Sequence, residues 1–141
     1  MDLLKWWKIE QDSPKWFKDA NSLWRENEQD FIAFCAQSHK IYDLGEVIVY
    51  VQGLGDKAEI HFGAVPKAKV DISKLIDIRD ELFTEFDMIF GWLLKQNRGM
   101  KAIAEQVGMK YQGVQMFHGE SRGKVLIWHC HSADKNSFII Q

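Results

Sequence analysis

Residues 86–112, FDMIFGWLLKQNRGMKAIAEQVGMKYQ, constrain the fold of this chain more than any other stretch. Met88 to Leu94 form a near-continuous apolar run, which predicts a strand buried on both faces, as parallel strands are. Asn97 stands where a helix N-cap belongs, because its side-chain oxygen can accept from a backbone N–H that the first turn leaves without a partner. Met100, Ile103, Ala104 and Val107 follow at i, i+3, i+4, i+7 and make one apolar helix face. Gly108 closes the helix at the position where left-handed backbone is wanted.

The rest of the chain supplies elements around this strand and helix. Residues 6–9 predict a short first strand. Ser13-Pro14 is a helix start, with Ser as the cap and Pro at the first helical position. Trp16, Phe17, Ala20, Leu23 and Trp24 then recur at helical spacing, and a second helical piece puts Phe31, Phe34 and Cys35 on one side. Residues 41–44 and 46–52 read as strands, followed by the turn Gly53-Leu54-Gly55-Asp56. Residues 57–64 return as a strand, with Ala58, Ile60 and Phe62 alternating against Glu59, His61 and Gly63. Pro66 ends it, since proline removes a ladder donor. Asp71 then caps a helix whose stripe carries Ile72, Leu75, Ile76, Leu82, Phe83 and Phe86. Residues 112–118 and 124–131 form a hairpin around a loop at 119–123. The expected architecture is α/β (α+β): one domain over 1–141, with a mixed central sheet of six to seven strands flanked by helices.

Composition removes several classes of function. At 141 residues, 46% apolar and 27% charged, the chain is globular rather than disordered. A net charge of −2 gives no basic footprint for nucleic acid. No apolar run approaches the roughly 20 residues of a membrane span. The opening residues MDLLKWWKIEQD lack the apolar core of a signal peptide, so a cytoplasmic location is expected. Cys35 and Cys130, far apart, are then expected to be free thiols in a reducing compartment.

A strand, an Asn-capped helix and the Gly108-Met109 pair eleven residues after Asn97 resemble the second half of the GCN5-related N-acetyltransferase (GNAT) fold. The resemblance is best over residues 46–130. It implies a coenzyme A site between the strands at 57–64 and 88–94. In that family the loop after the first of these strands is glycine-rich and holds a diphosphate on backbone N–H groups at a helix N-terminus. The matching segment here is Val65-Pro66-Lys67-Ala68-Lys69-Val70-Asp71-Ile72. It has no glycine, and Asp71 puts a carboxylate where the diphosphate would sit. Val65, Lys67, Lys69 and Asn97 are the residues left to touch such a cofactor. The resemblance also implies a tyrosine acid seven residues beyond the Asn, where this chain has Ala104. Glu59 as a general base and Tyr111 as an acid are the remaining catalytic candidates, although an alternating strand predicts a solvent-facing Glu59.

His129-Cys130-His131 has the look of a metal-ligand run. On a strand, however, Cys130 faces away from both histidines. Pairing His118 with Lys124 would put His129 opposite Gly113, too far from His118 for a shared zinc, so no metal is expected. Arg79, beside the apolar stripe of its helix, receives no role. The same erosion of the cofactor loop resembles small acetyltransferase-like proteins of tailed bacteriophages, including an internal virion protein of T7-like phages. That resemblance implies a host-cytoplasmic or virion location. The expected function is a non-catalytic binding or assembly protein with a protein partner, for which Trp6 and Trp7 offer an aromatic patch. The alternative is an active enzyme that moves an acetyl group from acetyl-coenzyme A to an amine.

Overall fold

The computed structural model describes residues 1–12, 27–119 and 124–138. Among them the chain runs α1 (Leu3–Asp12), α2 (Glu28–Gln37), β1 (Lys40–Asp43), β2 (Val47–Leu54), β3 (Lys57–Ala64), α3 (Ile72–Leu82), β4 (Met88–Leu94), α4 (Arg98–Gln106), β5 (Lys110–Gly119), β6 (Lys124–Asp134) and a 3-10 turn at Lys135–Phe138. The strands form one mixed sheet in the order β1-β2-β3-β4-β6-β5. β3 and β4 are parallel and joined by α3, while the other neighbours are antiparallel. This is the mixed, helix-flanked sheet that the sequence predicts.

Strand period places the core on both faces. Val49, Val51, Ala58, Ile89 and Ala133 share one face and pack under Leu75, Ile78 and Leu82 of α3 and Ala104 of α4. Ile48 and Tyr50 lie on the other, under Trp6 of α1 and Phe31 and Cys35 of α2. Burying a side chain of this size contributes roughly 1.5–3 kcal/mol, so each helix is held mainly by what it covers.

The helix ends follow their caps. Asp71 Oδ1 accepts from Ser73 N at 3.0 Å and from Ser73 Oγ at 2.6 Å. Asn97 Oδ1 accepts from Met100 N at 3.1 Å. Gly108, at φ +92°, closes α4 in a Schellman motif. Its N–H donates to Glu105 O, and the N–H of Met109 donates to Ala104 O.

Two expectations are corrected. Residues 6–9 lie in the helix α1, not in a strand. Asp2 starts it by accepting from Lys5 N at 3.1 Å, and the helical turn brings Trp6 onto the sheet. Trp6 is 1% exposed, and its Nε1 donates to Asp43 Oδ2 at 3.0 Å. Trp7 is half-buried and stacks on Phe31 with ring centroids 5.6 Å apart. These tryptophans therefore anchor α1 and α2 and leave no open aromatic patch. The β5–β6 hairpin is also shifted by one residue from the expected register. Gly119 pairs with Lys124, His118 with Val125 and His129 with Val114, because strand pairing runs on to Gly119; the irregularity between Tyr111 and Gly113, which inserts Gln112, then returns Tyr111↔His131 to the expected register. The helix expected from Ser13-Pro14 through Trp24 lies outside the described residues.

Candidate functional site: a fork in the sheet

β3 and β4 pair only at Lys57↔Met88, Ala58↔Ile89 and Glu59↔Phe90. Beyond Glu59, β3 stays bonded to β2 as far as Ala64, and β4 stays bonded to β6 as far as Leu94. The two strands then diverge into a fork, with no further β3–β4 pairing among the described residues. Gly91 sits at the vertex. A Cβ there would lie 3.3 Å from both Cγ1 and the carbonyl oxygen of Ile60, so the absence of a side chain lets the strands meet before they part. The fork opens toward the carboxyl ends of two parallel strands, where sheets of this kind take ligands. The N-termini of α3 and α4 flank that opening.

Glu59 belongs to the last pair before the strands part. His61 Nε2 donates to Glu59 Oε1 at 2.7 Å, and the His61 and Glu59 side chains are only 12% and 21% exposed. The His61 ring meets Phe34 of α2 edge-on at 5.1 Å. Glu59 is thus not solvent-facing as alternation predicts, because α1 and α2 cover that face. The signal available in the sequence was the i, i+2 spacing, which puts an acid and a histidine on one side of a strand. Cys130 pairs with Trp92 on this same face. Burial, and then the charge of Glu59, push its thiol up, which disfavours the reactive thiolate. Neither Cys130 nor the buried Cys35 is in a disulfide.

Tyr111 lies elsewhere. It pairs with His131, which pairs with Gly91, so it sits on the α3/α4 face, two strands and about 10 Å from β4. It is 51% exposed, and its ring packs against His129 at 5.2 Å and His131 at 5.6 Å. The structure does not bring Glu59 and Tyr111 together. Ala104 is 3% exposed in the core between α3, α4 and the sheet.

The cofactor candidates divide at the mouth of the fork. Val65 N donates to Glu46 O at 2.9 Å, and Val65 O accepts from Ala68 N at 3.1 Å. Lys67 turns this tight loop with a left-handed φ of +57°, a conformation that costs a non-glycine residue energy. Lys67 and Lys69 are exposed. The Asp71 carboxyl is held below its usual range, first by the Ser73 side-chain hydrogen bond and then by backbone N–H groups. The N-terminus of α3 therefore already carries an anion. Asn97 fills the equivalent place on α4 as a neutral cap, half-buried. The residues present do not fit a diphosphate seat of the family's kind: the loop has no glycine, and the Asp71 carboxylate already accepts from Ser73 N at the helix N-terminus.

Arg79, left without a role by the sequence, ties elements together. It donates to Val107 O at 2.7 Å and to Asp80 Oδ1 at 2.9 Å and 3.0 Å, and lies 4.0 Å over the Phe138 ring. His131 is 1% exposed, and neither ring nitrogen has a hydrogen-bond partner among the described residues. Burial, then His129 and Lys101, lower its pKa against a smaller opposing effect of Glu105. Among the described residues no group of three or more His, Cys, Asp or Glu side chains is placed to hold a metal. No described helix is long and apolar enough to cross a membrane.

Solved structures share this architecture. A probable GNAT-family acetyltransferase from Chromobacterium violaceum matches with a TM-score of 0.71 over 98% of this chain and 82% of its own, at 11% identity. The ribosomal-protein-S18-alanine N-acetyltransferase of Escherichia coli matches with a TM-score of 0.66 over 94% of this chain and 87% of its own, at 15% identity. A spermidine N-acetyltransferase chimera from Vibrio cholerae matches at 0.56 and 13% identity, and this chain spans only 60% of its length. No protein-family model and no curated protein matches the sequence. At these identities the likeness establishes the fold: this is a GNAT-like mixed sheet, forked between β3 and β4.

Proposed function

We propose that this chain is an acetyltransferase-fold protein that does not seat coenzyme A by its diphosphate, and that it acts as a non-catalytic binding or assembly protein through its fork. One observation carries the reading: Asp71 Oδ1 accepts from both Ser73 N and Ser73 Oγ at the N-terminus of α3. A second anion at the same N–H groups would meet a charge already held there. The buried Ala104 supports it, since no phenol stands in α4 to protonate a departing thiolate. A phage accessory or virion role, in a host cytoplasm or particle, is the setting that the sequence resemblance suggests for such a protein.

The second reading, an active N-acetyltransferase, is favoured by one feature. Glu59 and His61 form a hydrogen-bonded acid–imidazole pair at the vertex of the fork, where an amine would need a base. The two readings separate in one assay of thiol release from acetyl-coenzyme A over a panel of amines, run beside a thermal-shift titration. The proposal expects no turnover above background and no shift. A ligand at 100 times its Kd would raise stability by about 2.7 kcal/mol, so a clear shift with turnover that is lost in Glu59→Gln would establish the enzyme instead.

A further inference from the structure

We propose that His131 is an acid-sensitive latch beneath α4, and that taking up a proton there loosens this helix from the sheet beside the fork. The latch concerns how α4 is held, whatever the fork binds.

Three observations point to it. The first is the place of the imidazole. His131 pairs with Gly91 on one side and Tyr111 on the other, on the sheet face that α3 and α4 cover. It is 1% exposed, and neither ring nitrogen has a hydrogen-bond partner among the described residues. The neutral ring thus leaves one N–H and one lone pair unsatisfied. The imidazolium would leave two N–H groups and a charge, a far costlier state away from water. A proton is therefore taken up only as the ring reaches water.

The second is the set of charges around it. His129 lies two residues along the same face of β6, α4 contributes Lys101 and Glu105, and β5 contributes the Tyr111 phenol. Arg79 of α3 is turned to Val107 O and Asp80. Burial first, then His129 and Lys101, hold the His131 pKa below its ordinary value against the smaller pull of Glu105. Glu105 is exposed and makes no hydrogen bond to the ring, so it does not pair the charge.

The third is what gives way. The Tyr111 ring, 5.6 Å from that of His131, is 51% exposed, so water lies just beyond it. α4 has nine residues, too few for a stable isolated helix. It also covers an apolar cavity of about 50 Å³ lined in part by Met100, Ile103, Ala104 and Val107. A short helix over a void loses fewer contacts on opening and opens before the rest of a domain. α4 starts at Asn97, at the mouth of the fork, so its opening widens that side of the site.

The sign follows. Above about pH 6.5 the ring is neutral in the docked and the open form, and the latch is closed. Below it the open form binds a proton that the docked form refuses, so opening becomes easier as pH falls. Asp71 and Glu81, both held below the usual carboxylate range, stay ionised at pH 5.

The test is amide hydrogen exchange on the full chain at pH 7.5 and pH 5.0, corrected for intrinsic rates, in the wild type, His131→Leu and His131→Phe. Protection at Ile103, Ala104 and Val107 should fall tenfold or more at pH 5.0 in the wild type, and less than threefold in either variant that folds. Protection at Val49 and Val51 should change less than threefold in all three. An NMR titration of the His131 ring in the wild type, which needs no variant, should give a midpoint below about 6.5. Unchanged protection of α4 at pH 5.0, a loss that persists in the variants, an equal loss at Val49 and Val51, or a ring midpoint at or above about 6.5 each overturns the latch.

Discussion

α3 and α4 follow the two arms of the same fork, start at the same edge of the sheet and lie on the same face, yet their N-termini have opposite character. α3 starts behind a carboxylate, Asp71, whose pKa is depressed by its own capping bonds. α4 starts behind a neutral amide, Asn97. Both caps satisfy the same need for an acceptor at the first turn. Only the charged one also decides what else can sit there, since an anion near Asp71 pays Coulomb repulsion that an anion near Asn97 does not. The lesson is that a cap equivalent for stability need not be equivalent for function.

The comparison requires that α4 be held in place, and the largest expected effect tests this. Gly108→Val forces a branched residue to φ +92° and brings its Cβ within 2.6 Å of Phe138 Cζ. Overpacking together with left-handed backbone should cost about 2–4 kcal/mol, read as a lower urea midpoint at unchanged slope. A change within 0.5 kcal/mol would mean that the Gly108 turn does not hold α4. Next in size is Asn97→Ala, which removes the neutral cap. A loss of about 1 kcal/mol is expected, the same at pH 7 and pH 4, because an amide does not titrate.

The smallest effect sharpens the contrast. Asp71→Asn keeps a good cap, so stability at pH 7 should change little. Its acid behaviour should change, however. A carboxyl whose folded pKa lies below its unfolded value contributes stability above about pH 4, and that stability fades as pH falls through the folded pKa. The wild type should lose this contribution as pH falls below about 4, and Asp71→Asn should lose less on the same acid titration. Parallel acid unfolding curves for the two would remove the charge from the account of α3.

What the sequence made legible follows from which signals are local. Residues 57–64, 88–94, Asp71, Asn97 and Gly108 each carry their own local chemistry, alternation, apolar run, cap or left-handed turn, and each stands where that chemistry predicts. The parallel neighbours β3 and β4 followed from the strand-helix-strand order. The misses were set by tertiary context. Trp6 and Trp7 resemble strand residues until Asp2 is recognised as a cap and Phe31 and Tyr50 as the surface that they cover. Glu59 looks exposed until α1 and α2 are placed over its face. The hairpin register turned on Gly119, which pairs with Lys124 where composition suggested a loop residue. Of the site, the Asp71 cap at the N-terminus of α3 was legible in the sequence. The Glu59–His61 pair and the position of Tyr111 on the opposite face needed the folded sheet.

The most direct test of the central claim is isothermal titration of coenzyme A into the wild-type protein at pH 7 and low salt, repeated with Lys67→Ala/Lys69→Ala. If Asp71 occupies the anion seat of α3, no saturable heat appears at micromolar coenzyme A in either protein. Micromolar binding that disappears in the double variant would show that the loop over 65–71 holds the diphosphate after all, and would contradict the account.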